Sequence, residues 1–310
     1  MQAVRFHSYG DSSVLVREDV DRPQAGPGEV VVRVAGTSFN PVDVALRAGA
    51  LREAFALELP HVPNVDLAGT VAEVGADVTG WAIGAAVVAY IPITASGAAA
   101  DFVAVPAELL AAAPRTGTLA DAAALPATGL TAWQALVEHA GVTAGQRVLI
   151  NGAGGAVGGY AVQLAKGAGA VVTATGSARS AERLRSYQAD RIVDYTATPL
   201  VEAVAGERFD VVLNLAPTGP KETAGLAELV ADGGVFLSAT SPVPEDAGRG
   251  VRTVQVYSRS DAAQLAELVA RVDAGELTID VAERRPLADL AAVHDEAAAG
   301  LLRGKVVLTP

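Results

Sequence analysis

The sequence contains no cysteine, no excess of basic residues and no long hydrophobic run. The absence of cysteine excludes disulfides, thiol nucleophiles and cysteine-ligated zinc or iron–sulfur centres. A formal net charge of -12, without long acidic blocks, argues against nucleic acids and anionic membranes as partners. No apolar run approaches the roughly twenty residues that span a bilayer, and the N-terminus lacks an apolar signal core. We therefore expect a cytoplasmic protein that acts on a small molecule.

The chain is long and apolar enough to form two cores, with 310 residues of which 51% are hydrophobic. Residues 1–117 contain β-rich runs separated by Gly, Pro and Asp, such as EVVVRVAGTSF. Between 118 and 257, apolar strands alternate with Ala/Leu-rich helices, which is typical of a doubly wound parallel sheet. From 258 a helical stretch leads to a final strand, GKVVLT. The predicted fold class is α/β, a β-rich domain plus a doubly wound sheet.

The segment VLINGAGGAVGGYAVQLAK, residues 148–166, changes from an apolar strand to an amphipathic helix through a glycine-rich turn. Gly152, Gly155 and Gly158 lie in that turn, where missing side chains permit a tight bend and close approach to a pyrophosphate. A second strand at 171–175 completes the βαβ unit that the dinucleotide fingerprint requires. The spacing departs from G-x-G-x-x-G, and the alternative is a turn that only packs a helix on a sheet.

The end of the second strand indicates which dinucleotide binds. NAD sites have an acidic residue here for the ribose hydroxyls, but this sequence reads TGSARSAER, with no acid before Glu182. Ser177 and Arg179 offer a hydroxyl and a guanidinium, which bind a 2'-phosphate that a carboxylate would repel. We infer NADP(H), with NADPH as the donor. The alternative is that Arg179 is only a solvated loop cation.

These features resemble the medium-chain dehydrogenase/reductase superfamily, and most closely its zinc-independent quinone oxidoreductase branch, also called zeta-crystallin-like. The similarity runs nearly end to end. The matching segments are NPVDVALRAG at 40–49, LPHVPNVDLAGTVAEVG at 59–75, LPATGLTAWQAL at 125–136, the glycine segment, SARSAERLRSYQADRIVDY at 177–195 and LRGKVVLT at 302–309.

The resemblance implies a discontinuous GroES-like catalytic domain, residues 1–117 and 258–310, around a Rossmann NADPH-binding domain, residues 118–257. It also implies a homodimer formed through edge strands, here near Val251 to Tyr257. Carried over residue by residue, it predicts cofactor contacts with the pyrophosphate (Gly155, Ala156, Val157), the 2'-phosphate (Ser177, Arg179), the adenosine side (Tyr195) and the nicotinamide side (Thr131, Asn214, Lys305).

A metal site is not predicted. Zinc-dependent relatives have a cysteine near NPVDV and a Gly-His-Glu where this chain has Pro63, Asn64, Val65 and Asp66. Neither ligand set is present, and His61 without such partners does not make a tetrahedral site.

Catalysis without a metal requires a hydride donor and a group that stabilises the oxygen charge developing on the acceptor. Asn40 matches the family's substrate-side Asn and could polarise a carbonyl; alternatively, Asn40 before Pro41 only forms a turn. Ala45 and Leu51 stand where relatives carry tyrosines. Solvent or Tyr90 would therefore deliver the proton, although Tyr90 could also be an ordinary strand aromatic.

The predicted function is an NADPH-dependent, metal-independent reductase that transfers hydride to a quinone or an α,β-unsaturated carbonyl. One alternative is an enoyl reductase acting on a CoA-linked, carrier-linked or free polyketide intermediate. Another is a non-catalytic NADPH sensor or structural protein, which the missing tyrosines keep open.

Overall fold

The structure is a computed structural model that describes all 310 residues. The chain divides into two compact units. Unit 1 comprises Met1–Ala127, Arg259–Gly275 and Ile279–Pro310, and unit 2 comprises Thr128–Ser258 and Glu276–Thr278.

Strands and helices alternate along most of the chain. The strands are β1 (Gln2–Phe6), β2 (Leu15–Asp19), β3 (Glu29–Ser38), β4 (Asp66–Val74), β5 (Ala86–Tyr90), β6 (Phe102–Pro106), β7 (Ala111–Ala112), β8 (Arg147–Asn151), β9 (Val171–Gly176), β10 (Arg191–Asp194), β11 (Phe209–Asn214), β12 (Val230–Ser238), β13 (Arg252–Gln255), β14 (Glu283–Pro286) and β15 (Val306–Thr309). The α-helices are α1 (Pro41–Arg47), α2 (Pro126–Trp133), α3 (Ala156–Gly167), α4 (Ala178–Ser186), α5 (Leu200–Ala203), α6 (Pro220–Glu228), α7 (Ala262–Asp273) and α8 (Leu290–Ala298). No helix combines the length and the apolar character needed to cross a membrane.

Unit 1 is built on a sheet in the order β14-β15-β3-β4-β5-β7, with β6 also paired to β3. Strand β3 is central because it pairs antiparallel with β4, β6 and β15. Val30 and Val32 of this strand are fully buried in the hydrophobic core of unit 1. Ser38, at the end of β3, lies opposite Val307 of β15, and Asp66 begins β4 opposite Tyr90 of β5. Polar residues at these strand ends therefore come together.

Unit 2 is a parallel sheet of six strands in the order β10-β9-β8-β11-β12-β13. Fully buried apolar side chains such as Leu149, Val212 and Phe236 hold it to its helices. The strand order reverses between β8 and β11, which is the topological switch point at which such sheets bind ligands. The predicted doubly wound sheet is confirmed.

Unit 1 extends to Ala127, whereas the sequence pattern predicts a domain boundary after residue 117; the domain bounds stay a prediction. A short 3-10 helix, Asp121–Ala124, packs within unit 1, where Arg284 Nε lies 2.6 Å from the Asp121 carboxylate. A Cβ on Gly36 would come within 2.6 Å of the Ala120 carbonyl oxygen, so strand β3 and this segment are in direct backbone contact. The amino-acid composition shifts from strand-like to helix-like at about residue 118, but residues up to Ala127, in the first turn of α2, still pack with unit 1.

Three residues near the C-terminus, Glu276–Thr278, group with unit 2, whereas the sequence-based prediction includes them in the catalytic domain. The Thr278 N–H donates to Gln163 Oε1 at 2.7 Å, and Gln163 Nε2 donates back to the Thr278 carbonyl at 3.2 Å. This reciprocal pair holds the turn after α7 on α3.

Candidate functional site

The glycine turn of unit 2 follows β8 at the switch point. Gly152 has a φ of +83°, and a Cβ there would lie 2.9 Å from the backbone nitrogen of Ala216. A Cβ on Gly158 would lie 2.5 Å from the Cα of Ala153. Gly152 and Gly158 have no room for a side chain because another backbone segment lies directly against each of them. Close packing therefore requires glycine at these two positions, whether or not a ligand binds.

The third motif glycine, Gly155, is open to solvent, so a bound molecule has room beside its backbone. It is exposed, it precedes the first residue of α3, and a Cβ there would meet only the Gly152 carbonyl oxygen at 3.4 Å. The N–H groups of the first turn, among them those of Ala156 and Val157, have no partner within the helix. Such a helix N-terminus binds anions. The cradle fits the pyrophosphate of a dinucleotide.

A chain of polar side chains crosses the ends of the central strands beside this turn. The Gly152 N–H donates to Thr175 Oγ1 at 2.8 Å, and Thr175 Oγ1 donates to Asn151 Oδ1 at 3.1 Å. Asn151 Nδ2 donates in turn to Asn214 Oδ1 at 2.9 Å. The structure therefore brings Asn214 to the glycine turn. Its side chain is fully buried, and it holds the strand ends together.

Ser177 and Arg179 lie at the start of α4, directly after β9. The Ser177 N–H donates to Ser180 Oγ at 3.1 Å, which closes the first turn of the helix. Arg179 is exposed, and its side chain has no hydrogen bond or ion pair with the rest of the chain. The Arg183 guanidinium donates to the Gly154 carbonyl, so α4 is tied to the glycine turn. Helix α4, which carries the unpaired Arg179, is thus held beside the glycine turn.

Two further predicted cofactor residues lie in unit 2. Tyr195 follows β10, is 55% exposed, and donates its N–H to the Gly176 carbonyl at 3.4 Å. It is therefore at the same sheet edge as Ser177. Thr131 lies in α2 and is half-buried.

Unit 1 contains a buried cluster of polar side chains around Lys305. The lysine is 3% exposed, and its ammonium donates to Phe39 O at 3.1 Å, Asn40 Oδ1 at 2.6 Å and Asp66 Oδ2 at 3.1 Å. An ammonium has three hydrogens, and all three are used. The lysine is therefore a buried, fully hydrogen-bonded cation in this structure, and its contact with the cofactor stays a prediction.

Asn40 lies between the two charges of this cluster. Its Oδ1 accepts from Lys305, and its Nδ2 donates to Asp66 Oδ2 at 2.8 Å. The second hydrogen on Nδ2 has only a long contact, 3.5 Å, with the Ser38 carbonyl oxygen. The residue is 7% exposed. One N–H of the amide is therefore weakly used, while the rest of the side chain is fully engaged.

Asn40 is also the N-cap residue of helix α1. Its backbone N–H donates to Asp43 Oδ2 at 2.8 Å, and the Asp43 N–H donates to its carbonyl at 3.0 Å. Burial raises the pKa of Asp43 to about 7. Asp43 thus shapes the helix start that carries Asn40.

Tyr90 and His61 are two further buried residues of unit 1. Tyr90 is buried at the end of β5, opposite Asp66, and its carbonyl oxygen accepts from Ser260 Oγ. His61 packs against Phe6 with the ring centroids 5.4 Å apart, and burial lowers the pKa of His61 to about 4. The imidazole is therefore neutral at physiological pH.

Sequence reasoning missed Asp66 and Ser38, whose hydroxyl donates to the Asp66 carboxylate. One signal was available, because Asp66 is a lone carboxylate in the apolar run VDLAGTV, and a buried charge requires partners. Its partner Lys305 is 239 positions away, so spacing alone could not identify the pair.

Comparison with known proteins gives the family. The alcohol dehydrogenase GroES-like domain matches residues 26–135, and the zinc-binding dehydrogenase family matches residues 187–308. A chloroplast envelope quinone oxidoreductase homolog from Arabidopsis thaliana is 32% identical, over 70% of this chain and 68% of the relative. The chain belongs to the medium-chain dehydrogenase/reductase family. The resemblance to its quinone oxidoreductase-like members is thus confirmed.

Other members of the family match over comparable lengths. The NADPH-dependent alkenal/one oxidoreductase of Arabidopsis thaliana chloroplasts is 30% identical, over 82% of this chain and 66% of the relative. An NAD-dependent alcohol dehydrogenase has a TM-score of 0.90 at 30% identity, with 100% of both chains covered.

Two further solved structures are similar to this chain, one with a bound cofactor and one of an enoyl reductase. Mycobacterial Rv1454c complexed with NADPH has a TM-score of 0.86 at 27% identity, with 100% of both chains covered. The CurK enoyl reductase has a TM-score of 0.86 at 25% identity, over 99% of this chain and 98% of the other. The family member described here is accordingly an enzyme of the NAD(P)H-dependent oxidoreductase class.

Proposed function

We propose that this enzyme uses NADPH to transfer a hydride to a quinone or to the β-carbon of an α,β-unsaturated carbonyl. The observation that carries the cofactor choice is the exposed, unpaired Arg179 in the first turn of α4, with Ser177 just before that helix and no carboxylate between β9 and Glu182. Relatives named as quinone and alkenal/one oxidoreductases support the acceptor class. The neighbour solved with NADPH supports the cofactor.

The residues of unit 2 fit such a cofactor. The N–H groups at Gly155, Ala156 and Val157 would hold the pyrophosphate, because helix N-termini favour anions. Ser177 and Arg179 would hold the 2'-phosphate through charge-assisted hydrogen bonds. We assign Tyr195 to the adenosine side and Thr131 and Asn214 to the nicotinamide side; Asn214 also supports the strand ends.

We further propose that the reaction needs no metal, although one matching family is described as zinc-binding. The donor set does not suit a tetrahedral zinc site. Asp66 is already paired with Lys305, and Asn64 has a φ of +72° and donates its amide to the Ser38 carbonyl at 3.2 Å. The sequence has no cysteine.

In the proposed reaction, bound NADPH supplies the hydride. Asn40 would donate its weakly used N–H to the acceptor oxygen, which becomes negative as the hydride arrives. A neutral amide stabilises that charge without gaining or losing a proton. The proton would come from solvent or from Tyr90.

A second candidate is an enoyl reductase that acts on a CoA-linked, carrier-linked or free biosynthetic intermediate. The similarity to the CurK enoyl reductase favours it. The hydride transfer is the same in both candidates, so only the acceptor distinguishes them.

We also propose a homodimer formed through β13, which lies at the edge of the sheet in unit 2. Exposed main-chain edges pair with other strands unless they are blocked. Tyr257, two residues beyond β13, is 79% exposed and adds apolar surface there. The cytoplasm remains the proposed location; relatives with chloroplastic and mitochondrial names also exist.

The experiment is incubation of the enzyme with C4-deuterated NADPH and, separately, quinones, enones and an enoyl thioester, with mass spectrometry of the products. Deuterium on the β-carbon of an enone supports the proposal, and deuterium on the thioester alone favours the enoyl reductase. Consumption of NADPH with formation of unlabelled quinol indicates quinone reduction. Tight NADPH binding without consumption by any acceptor would reject both and favour an NADPH sensor or structural protein.

A further inference from the structure

The Lys305–Asp66 ion pair lies inside unit 1, with side chains 3% and 0% exposed. Asp66 is saturated with donors. Its Oδ2 accepts from Ser38 Oγ, Asn40 Nδ2 and Lys305 Nζ, and its Oδ1 accepts from the Ala127 N–H at 2.7 Å. A carboxylate with four donors and an ammonium with three acceptors form a closed network. Such a network has one low-energy arrangement.

Asn40 takes part in that network through both ends of its amide. An amide that rotates by half a turn exchanges its oxygen and its nitrogen. In Asn40 the exchange would turn Oδ1 toward the Asp66 carboxylate and Nδ2 toward the Lys305 ammonium. The carboxylate only accepts and the ammonium only donates, so both contacts would become repulsive. The two charges permit one orientation of Asn40.

We propose that Lys305 and Asp66 are positioning residues that fix the orientation of the Asn40 amide and so present an N–H, not a carbonyl oxygen, to the substrate. This inference rests on the proposed function, in which Asn40 polarises the acceptor oxygen. It also limits the substrate class. The site favours acceptors with a hydrogen-bond-accepting oxygen, such as quinones and enones, over molecules that offer only a hydroxyl donor at that point.

The kinetic test is a double-mutant cycle on Asn40→Ala and Lys305→Met, with kcat and KM for the acceptor and the Kd of NADPH as readouts. Loss of positioning costs about 100-fold in rate. We expect Lys305→Met to lower kcat/KM about 100-fold and to leave the Kd of NADPH within about twofold of the unmodified enzyme. The double variant should be no slower than Asn40→Ala. Additive losses, or a Kd raised tenfold, would overturn the proposal.

A charge-neutral variant separates positioning from simple charge compensation. Lys305→Met alone leaves Asp66 unpaired in the core, and the protein could then fail to fold. Lys305→Met with Asp66→Asn removes both charges at similar volume. If Lys305 only neutralises Asp66, this double variant regains the original kcat. If the pair positions Asn40, the variant folds and remains slow.

A spectroscopic readout does not depend on activity. The sequence has four asparagines, so ¹⁵N-asparagine labelling gives four side-chain amide signals, and Asn40→Ala identifies the one from Asn40. We expect the Lys305→Met/Asp66→Asn variant to shift that signal and leave those of Asn151 and Asn214 unmoved. An unmoved Asn40 signal would refute the positioning role. If the unmodified enzyme reduces no acceptor, the proposed function fails, and this measurement still tests whether the ion pair bonds to the Asn40 amide.

Discussion

Asp43 shows how burial changes the chemistry of one side chain. Its carboxyl group is buried, one oxygen accepts from the Asn40 N–H, and the other has no hydrogen-bond partner. Loss of hydration outweighs this hydrogen bond and the field of Lys305, so the pKa rises to about 7. The folded protein therefore holds a proton on Asp43 at pH values where the unfolded chain has lost it.

This shift predicts a pH dependence of stability. The stability that Asp43 contributes is fully present below its unfolded pKa of 3.8 and is lost as the pH rises to about 7. Relative to Asp43→Asn, the free energy of unfolding of the unmodified protein should fall by up to about 4 kcal/mol over that range. Urea unfolding of both proteins at pH 4, 5.5 and 7 measures it. A constant difference between the two would contradict the raised pKa.

Arg179 is the residue on which the choice of NADPH depends. Arg179→Ala should raise the Kd of NADPH about 10- to 100-fold, because a hydrogen bond to a charged group contributes about 1.5–3 kcal/mol. The Kd of NADH should stay nearly unchanged. Arg185→Ala is the matched control, since it removes the same charge from an exposed position near the other end of α4. Equal losses for both cofactors would remove Arg179 from the 2'-phosphate site.

Among the elements, α3 decides how the anion cradle is built. Its N-terminus begins at the switch point of the sheet, where the carboxyl ends of β8 and β11 lie side by side. Gly158 permits the first turn to pack against the backbone of Ala153. The direction of the helix, and with it the direction of its free N–H groups, follows from that contact.

Two substitutions in α3 test this geometry. Gly158→Ala places a methyl group 2.5 Å from the Cα of Ala153, where backbone cannot yield cheaply, so NADPH affinity and stability should both fall. Gly167→Ala is the control at the other end of the helix, because no atom lies within 4 Å of its Cβ. It should stabilise the protein by about 0.4–1 kcal/mol and leave the Kd unchanged. NADPH fluorescence titration and urea unfolding give both values. Similar behaviour of the two variants would contradict the role of Gly158.

For the whole molecule, the proposed dimer makes a prediction about the edge of unit 2. The Val256 N–H donates inward to the Ser238 carbonyl at 2.8 Å, so by alternation the N–H of Thr253 faces the free edge. Thr253→Pro removes that donor, and Thr253→Ala retains it. Light scattering should give twice the chain mass of 31.3 kDa for the unmodified protein and Thr253→Ala, and the monomer mass for Thr253→Pro. A monomeric unmodified protein would exclude the dimer.

The sequence by itself determined the fold class, the family and the position of the glycine turn. These depend on local patterns, because strand and helix periodicity and turn chemistry are properties of neighbouring residues. Residues 148–166 changed visibly from strand to turn to helix, and Ser177 and Arg179 followed at the next strand end. The predicted α/β class and the parallel sheet were confirmed for this reason.

Only the tertiary structure decided which distant groups share an environment. Lys305 and Asp66 are 239 positions apart, and their pairing follows from β15 lying beside β3, which lies beside β4. The same pairing of distant strands gave Asn40 its orientation and Asp43 its raised pKa. The burial of a side chain and its ion-pair partner depend on which distant segments the fold brings into contact. The pattern of neighbouring residues in the sequence does not specify those contacts.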